Sequence, residues 1–233
     1  MNFIPKKEYR EKPLVVLCNG PSIKNLDFAL LKNQDVIAMN GIYRFCYEND
    51  WYPKYFGCFD YRVTDNHTEA YAKFIEESPI ERGFLLTKVT DSDKLTVLPI
   101  NGNIGDFSLD FKTFGYGGNT GANCCQVGIC LGYTKIIILG ADCNYKEVVE
   151  GAKPEGSGLV MDQTPEENPN YFFSSYQRKG DIYNFPQAEL FHRPAWNSLA
   201  EFAGENNIEV VNCSESSTLT CFKKSKARVE LKK

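Results

Sequence analysis

The chain has 233 residues, of which 42% are hydrophobic and 24% charged, proportions ordinary for a folded globular protein. They exclude a disordered chain, a collagen and a disulfide mini-scaffold, and the length suits one large domain. A net charge of −4 excludes an overall grip on nucleic acid, which wants a basic face. Apolar runs such as Ile136–Leu139 are far shorter than the roughly 20 residues a membrane-spanning helix needs. The opening Met-Asn-Phe-Ile-Pro-Lys-Lys-Glu lacks the apolar core of a secretion signal, so a cytoplasmic location is expected. Nine cysteines, an odd number, several of them in apolar runs, read as buried reduced thiols. Their spacing does not fit a structural zinc site.

Taken in chain order, Leu14 to Cys18 reads as a strand closed by Asn19-Gly20-Pro21-Ser22. Ile23, Leu26, Ala29 and Leu30 then fall at helical spacing between Ser22 and Lys32. Strands follow at Asp35–Met39, ending in Asn40-Gly41, and at Tyr55–Phe59, ending in Asp60. Asn66 to Glu77 reads as a helix, and residues 83–87 and 95–98 as short strands. Asn101 to Gly118, rich in Gly, Asn and Phe, reads as a long loop. Thr120 to Leu131 is a helix of small residues suited to close packing on a sheet. Lys135 to Leu139 is the most apolar strand, as in a strand buried on both faces of a parallel sheet. Residues 143–185 are polar and rich in Gly, Pro and Tyr, a long loop of the kind that serves as a lid. A helix over Pro194–Asn206 and a strand over Ile208–Asn212 complete the core. The last residues, 223–233, form a basic run that reads as a solvated tail and a candidate contact with an anionic membrane surface.

Alternating strands and helices predict an α/β domain with a mostly parallel sheet flanked by helices. Such sheets bind ligands beyond the carboxyl ends of their strands. That edge carries Asn19, Gly20, Pro21 and Ser22, then Asn40, Asp60 and Asp142, with the helix start at Thr120-Gly121. Gly20 permits close backbone approach, Ser22 can cap a helix, and helix N-termini favour anions. Gly115-Tyr-Gly-Gly-Asn-Thr-Gly121 is a second candidate anion cradle. Asn40 and Asp60 suit hydrogen bonds to a base or ribose, or plain turn chemistry. Of the two histidines, His67 reads as a surface residue of a helix. His192, before Pro194, has the residue type of a general base near neutrality. Tyr171, Tyr176 and Tyr183, with Arg178 and Lys179 beside them, can neutralise a phosphate or pack a lid.

These pieces together resemble a known family. Val-Val-Leu-Cys-Asn-Gly-Pro-Ser-Ile-Lys-Asn over 15–25 is similar to the opening of the bacterial sialyltransferases of glycosyltransferase family 42. Met39-Asn40-Gly41-Ile42-Tyr43 is similar to their second-strand Asn. Thr120-Gly121-Ala122, Leu131-Gly132-Tyr133 and Ile136 through Asp142 resemble their Thr-Ser-Gly helix, Leu-Gly-Tyr turn and Gly-Ile-Asp strand end. The resemblance implies a single Rossmann-like domain over 1–222 with a Tyr-rich lid near 143–185. It implies a CMP-activated sugar as donor, a sialic or related nonulosonic acid among the candidates, a glycan acceptor, inversion, and no metal or other cofactor. Asn19, Gly20, Pro21 and Ser22 would then meet the donor nucleotide, Asn40 the nucleotide or phosphate, and Thr120 and Gly121 the phosphate. Tyr171 and Tyr176 would bond the departing phosphate, and His192 would take the acceptor proton. Asp60 stands where the family has Asn, and Thr-Gly-Ala stands where it has Thr-Ser-Gly. The opening and the Gly-Ala-Asp segment are also similar to 6-hydroxymethylpterin diphosphokinase-like proteins, which would use ATP and Mg²⁺ with Asp60 and Asp142 as ligands. A nucleotide-binding protein without turnover is the third reading, and a homo-oligomer is an open expectation.

Overall fold

The computed structural model describes Glu8 and residues 10–231; most of the segment read for a secretion signal, and the last two residues, lie outside them. Chain order gives β1 (Leu14–Leu17), β2 (Asp35–Met39), α1 (Ile42–Asn49), β3 (Tyr55–Cys58), α2 (Tyr61–Asn66), α3 (Thr68–Glu77), β4 (Arg82–Leu85) and β5 (Leu95–Val97). Then come α4 (Thr120–Leu131), β6 (Lys135–Leu139), β7 (Ala152–Glu155), β8 (Gly158–Met161), β9 (Ile182–Asn184), α5 (Arg193–Glu205), β10 (Glu209–Asn212), β11 (Lys223–Lys224) and α6 (Ala227–Glu230). Eight strands form one sheet in the order β11-β10-β6-β1-β2-β3-β4-β5. Every pairing in it is parallel, so all the strand carboxyl ends share one edge. The α/β class with a parallel sheet between helices is therefore as the alternation of elements predicts.

Successive side chains of a strand point to opposite faces, and β1 shows both sides of the core. Leu14 and Val16 pack with α4 and α5 on one face, while Val15 and Leu17 pack with α1 and α3 on the other. All twelve residues of α4 are buried. Its small residues make this possible: a Cβ at Gly128 would run into Leu14. The polar members of α4 have a use as well. Gln126 Oε1 accepts from the Ser108 and Gly115 amides at 2.8 and 2.9 Å, and Asn123 Nδ2 donates to the Gly115 carbonyl. These bonds pin the long 101–118 loop to the helix.

Several elements differ from the sequence expectation. The segment after β1 is two 3₁₀ turns, Pro21–Ile23 and Phe28–Leu31, because the Asp27 carboxylate accepts from the Ala29 amide and starts a new turn. The helix expected over Asn66–Glu77 is found as α3, starting two residues later, and a further short helix, α2, precedes it and ends at Asn66. The 143–185 segment is no structureless loop: β7, β8 and β9 build a three-stranded antiparallel sheet within it. The basic C-terminal run is not a solvated tail in its described part. β11 pairs with β10, Glu230 is buried and takes Lys135 Nζ at 2.9 Å and the Ser225 hydroxyl, and Leu231 is buried. The cysteines are free thiols, eight of them buried.

Candidate active site

β1 lies between β2, which follows it in the chain, and β6, which the chain reaches only after building the other half of the sheet. At such a switch point the loops leaving neighbouring strands diverge and open a crevice. Here the crevice is a cavity of about 660 Å³, walled by the ends of β1, β2 and β3, the start of α4, and the segment 170–192.

Asn19 and Asn40 close β1 and β2, and both line it. Asn19 Nδ2 donates to the Met39 carbonyl at 3.0 Å, which leaves its buried Oδ1 without a partner. Asn40 sits in the left-handed region, at φ 54°, and its Oδ1 is likewise buried and unpartnered. Gly20 also reaches the wall, but the space a side chain would take is filled by the Asp142 carboxylate and the Gly140 carbonyl. Its lack of a Cβ lets β1 and β6 end close together. Pro21, Ser22 and Asp142 lie outside the cavity lining. Asp142 accepts from the Ser22 amide at 2.8 Å and from the Ser216 hydroxyl, so it holds the two strand ends together. Asp60 faces the cavity as the N-cap of α2: Oδ1 accepts from the Val63 amide, and Oδ2 from Asn184 Nδ2 at 2.9 Å.

The N-terminus of α4 enters the same space. Asn119 caps it through Ala122, the Thr120 hydroxyl accepts from the Phe59 amide, and Gly121 abuts the Trp196 ring. Above this floor Tyr171 and Tyr176 stack, ring centroids 3.6 Å apart and 16° from parallel. The Tyr176 ring lies on Gly41, where a Cβ would have no room. Burial raises the pKa of both phenols, for Tyr176 against hydrogen bonds from the Gly41 backbone and the Asn40 side chain. Both stay protonated donors at neutral pH. The third lid tyrosine, Tyr183, spends its hydroxyl on the Met161 sulfur at 3.4 Å.

His192 ends a π turn, Ala188–His192, that runs into α5, and its ring faces the cavity. It meets the Tyr145 ring edge-on at 5.3 Å. Burial holds its pKa down to about 4, against a weaker opposing pull from the Asp60 carboxylate. The imidazole is therefore neutral at physiological pH and has a free lone pair.

Other residues of the site gave no signal in the sequence. Arg44 of α1 forks onto Asp181 of the lid, at 2.5 and 2.8 Å, and donates to the Tyr176 carbonyl at 2.7 Å. One guanidinium thus fastens the stacked tyrosines over the crevice. His67 is no surface residue: its side chain is 10% exposed, Nδ1 meets the Tyr43 hydroxyl at 3.1 Å, and Nε2 stands 3.9 Å from Asp181. The lid cations Arg178 and Lys179 are not in the cavity wall. Arg178 pairs outside it with Glu48, and Lys179 lines a separate depression beside α3. Among the described residues no three His, Cys, Asp or Glu side chains cluster as a metal site, and no helix is long and apolar enough to cross a membrane.

No protein-family model matches the chain, and no curated protein matches its sequence. Solved structures do match its fold. A sialyltransferase of Campylobacter jejuni, solved with cytidine-5′-monophosphate, superposes with a TM-score of 0.53 at 16% identity over 93% of this chain and 86% of that one. The same sialyltransferase with the substrate analogue CMP-3FNeuAc gives 0.50 at 15% identity, over 91% and 85%. The MAf glycosyltransferase of Magnetospirillum magneticum AMB-1 gives 0.54 at 14% identity over 97% of this chain. The chain spans only 35% of that protein's length.

Proposed function

We propose that this chain is a glycosyltransferase that moves a sugar, a sialic or related nonulosonic acid, from a CMP-activated donor to a glycan hydroxyl with inversion. The observation that carries the reading is one cavity at the switch point that joins a neutral imidazole, a stacked pair of protonated tyrosines and a helix N-terminus. Its fold is that of an enzyme solved with CMP.

In this reading the donor phosphate meets the start of α4 and the tyrosine hydroxyls. A nucleoside monophosphate leaves with modest charge, and fixed hydrogen-bond donors stabilise it as the glycosidic bond breaks. His192 takes the proton of the acceptor hydroxyl as that oxygen attacks the anomeric carbon, a role worth about 10²–10⁴ in rate. The unpartnered Asn19 and Asn40 oxygens accept hydrogen bonds from donor hydroxyl or amine groups. The pyrophosphoryl-transfer alternative needs Asp60 and Asp142 around one metal ion. Asp142 instead lies outside the cavity lining, engaged with Ser22 and Ser216.

Two experiments test the proposal. Thermal-shift titrations with CMP, UDP, GDP, ATP and pterin, each with magnesium or with chelator, should show CMP stabilising the protein most and without need of magnesium; metal-dependent ATP stabilisation supports the kinase reading instead. His192→Ala should abolish transfer from CMP-sialic acid while CMP binding stays within about twofold. Equal loss of both would make the histidine a structural residue.

A further inference from the structure

The donor proposed above carries at least one anionic group, and a sialic acid adds a second. The described cavity wall offers little positive charge to meet them. Arg62 is its single arginine or lysine. Arg44 is forked onto Asp181 and Arg178 is paired with Glu48 outside the wall. Both histidines are neutral, since burial holds their pKa values down to about 4. Asp60 adds a carboxylate to the same space.

Arg62 differs from the other two arginines in having no carboxylate partner among the ion pairs of the described residues. Its guanidinium Nη2 donates to the Ser157 hydroxyl, at the turn between β7 and β8, at 2.6 Å. The neighbouring Gly158 leaves the room it occupies: a Cβ there would collide with Nη1 and stand 2.7 Å from the Tyr183 carbonyl. The guanidinium thus reaches from the first turn of α2 to the lid hairpin, half-buried, with donors to spare. A planar fork with unused N–H groups matches a phosphate or a carboxylate in two parallel hydrogen bonds.

We infer that Arg62 is the anion-reading residue of this cavity, receiving an oxyanion of the bound ligand, either the donor phosphate or the carboxylate of an acidic sugar. The inference rests on the transferase reading for which ligand arrives; what the site itself supplies is the one guanidinium fork in its wall with no carboxylate on it.

Isothermal titration of CMP, AMP, UMP, GMP, cytidine and a non-transferable CMP-sialic acid analogue, against the wild type, Arg62→Ala and Arg62→Lys, tests it. Arg62→Ala should weaken the anionic ligand by about 10- to 100-fold, the range of a charge-assisted hydrogen bond. Cytidine, uncharged, should be unaffected, and Arg62→Lys, which keeps charge but not the fork, should fall between. Loss already seen with CMP assigns the phosphate; loss seen only with the CMP-sugar assigns the carboxylate. If the wild type prefers another nucleotide and Arg62→Ala loses it, the inference stands and the CMP reading falls. Equal binding by wild type and folded Arg62→Ala or Arg62→Lys overturns the inference and leaves the transferase reading intact. Failure of the wild type to bind any of these ligands overturns both.

Discussion

His67 and His192 are the chain's two histidines, and the fold holds both neutral down to acid pH. Burial lowers each to about 4, with nearby carboxylates, Asp181 and Asp60, pulling the other way. For catalysis the consequence is a displaced acid limb. With His192 as base, kcat/KM for transfer, which reports the free enzyme, should stay level from pH 7 to about 5 and fall only toward pH 4; a limb centred near 6.5 would mean that an exposed imidazole or another group is titrating. For stability the sign is equally defined. Between pH 6.5 and 4 the unfolded chain protonates both rings while the folded chain does not. Unfolding is therefore favoured as pH falls through that interval, by at most about 3 kcal/mol per ring. Urea midpoints measured from pH 7 to pH 4 should decline, and His67→Asn should flatten the decline by roughly half. An unchanged slope in that variant would place His67 in solvent.

At the scale of elements, the lid is held by one buried ion pair. The Arg44 and Asp181 side chains are only 8% and 11% exposed, so removing the cation strands a carboxylate away from water. Arg44→Ala should cost about 3 kcal/mol or more, seen in chemical denaturation, and should speed hydrogen exchange over residues 176–184 ahead of the sheet. Replacing both partners together with apolar residues should recover much of the loss, since no charge is then left unpaired; a double variant as unstable as the single one would deny the pair its role. Neither partner is legible in the sequence, because an Arg in a short helix and an Asp 137 positions later carry no local pattern. The central strands and α4 were legible, because burial on both faces leaves continuous apolar runs and a helix of small residues. So were the strand-end positions that wall the cavity: Asn19, Asn40 and Asp60 follow from the parallel sheet alone, and Thr120 from the start of the small-residue helix. The lid sheet was not legible, since β7 is exposed along most of its length and β9 is only three residues long, and their pairing comes from tertiary contacts. Asp142 and Ser22 read as ligand groups because a strand-end carboxylate and a helix cap look alike in sequence, whether they face a ligand or each other.

At the scale of the whole molecule, the sheet is only as long as its C-terminal edge. β11 extends it beyond β10, and α6 then folds back toward β6 so that Glu230 reaches Lys135, while Gln34 Nε2 donates to the Leu231 carbonyl at 3.1 Å. A run of lysines would be expected to fray, but Leu231 is buried with the α1/α3 face of the core. Burying one such side chain contributes about 2 kcal/mol, and the buried Glu230 hydrogen bonds add about 1–2 more. For a chain of this size each kcal/mol moves the melting temperature by about 2–4 °C. A chain ending at Phe222 should therefore melt about 10 °C lower than the full one, with β10 left as an open edge. Leu231→Ala alone should account for a substantial part of that drop, while Lys223→Ala and Lys224→Ala, both exposed, should shift it by no more than about 1 °C. Equal melting of the full and shortened chains would return these residues to solvent. The distinction bears on membrane contact too: with Leu231 facing the core, it is the exposed Lys223, Lys224, Lys226 and Arg228 that can meet an anionic surface. Binding to anionic vesicles should then be lost at high salt and be insensitive to Leu231→Ala, whereas insertion of the segment itself would require α6 to undock and would make that substitution weaken binding.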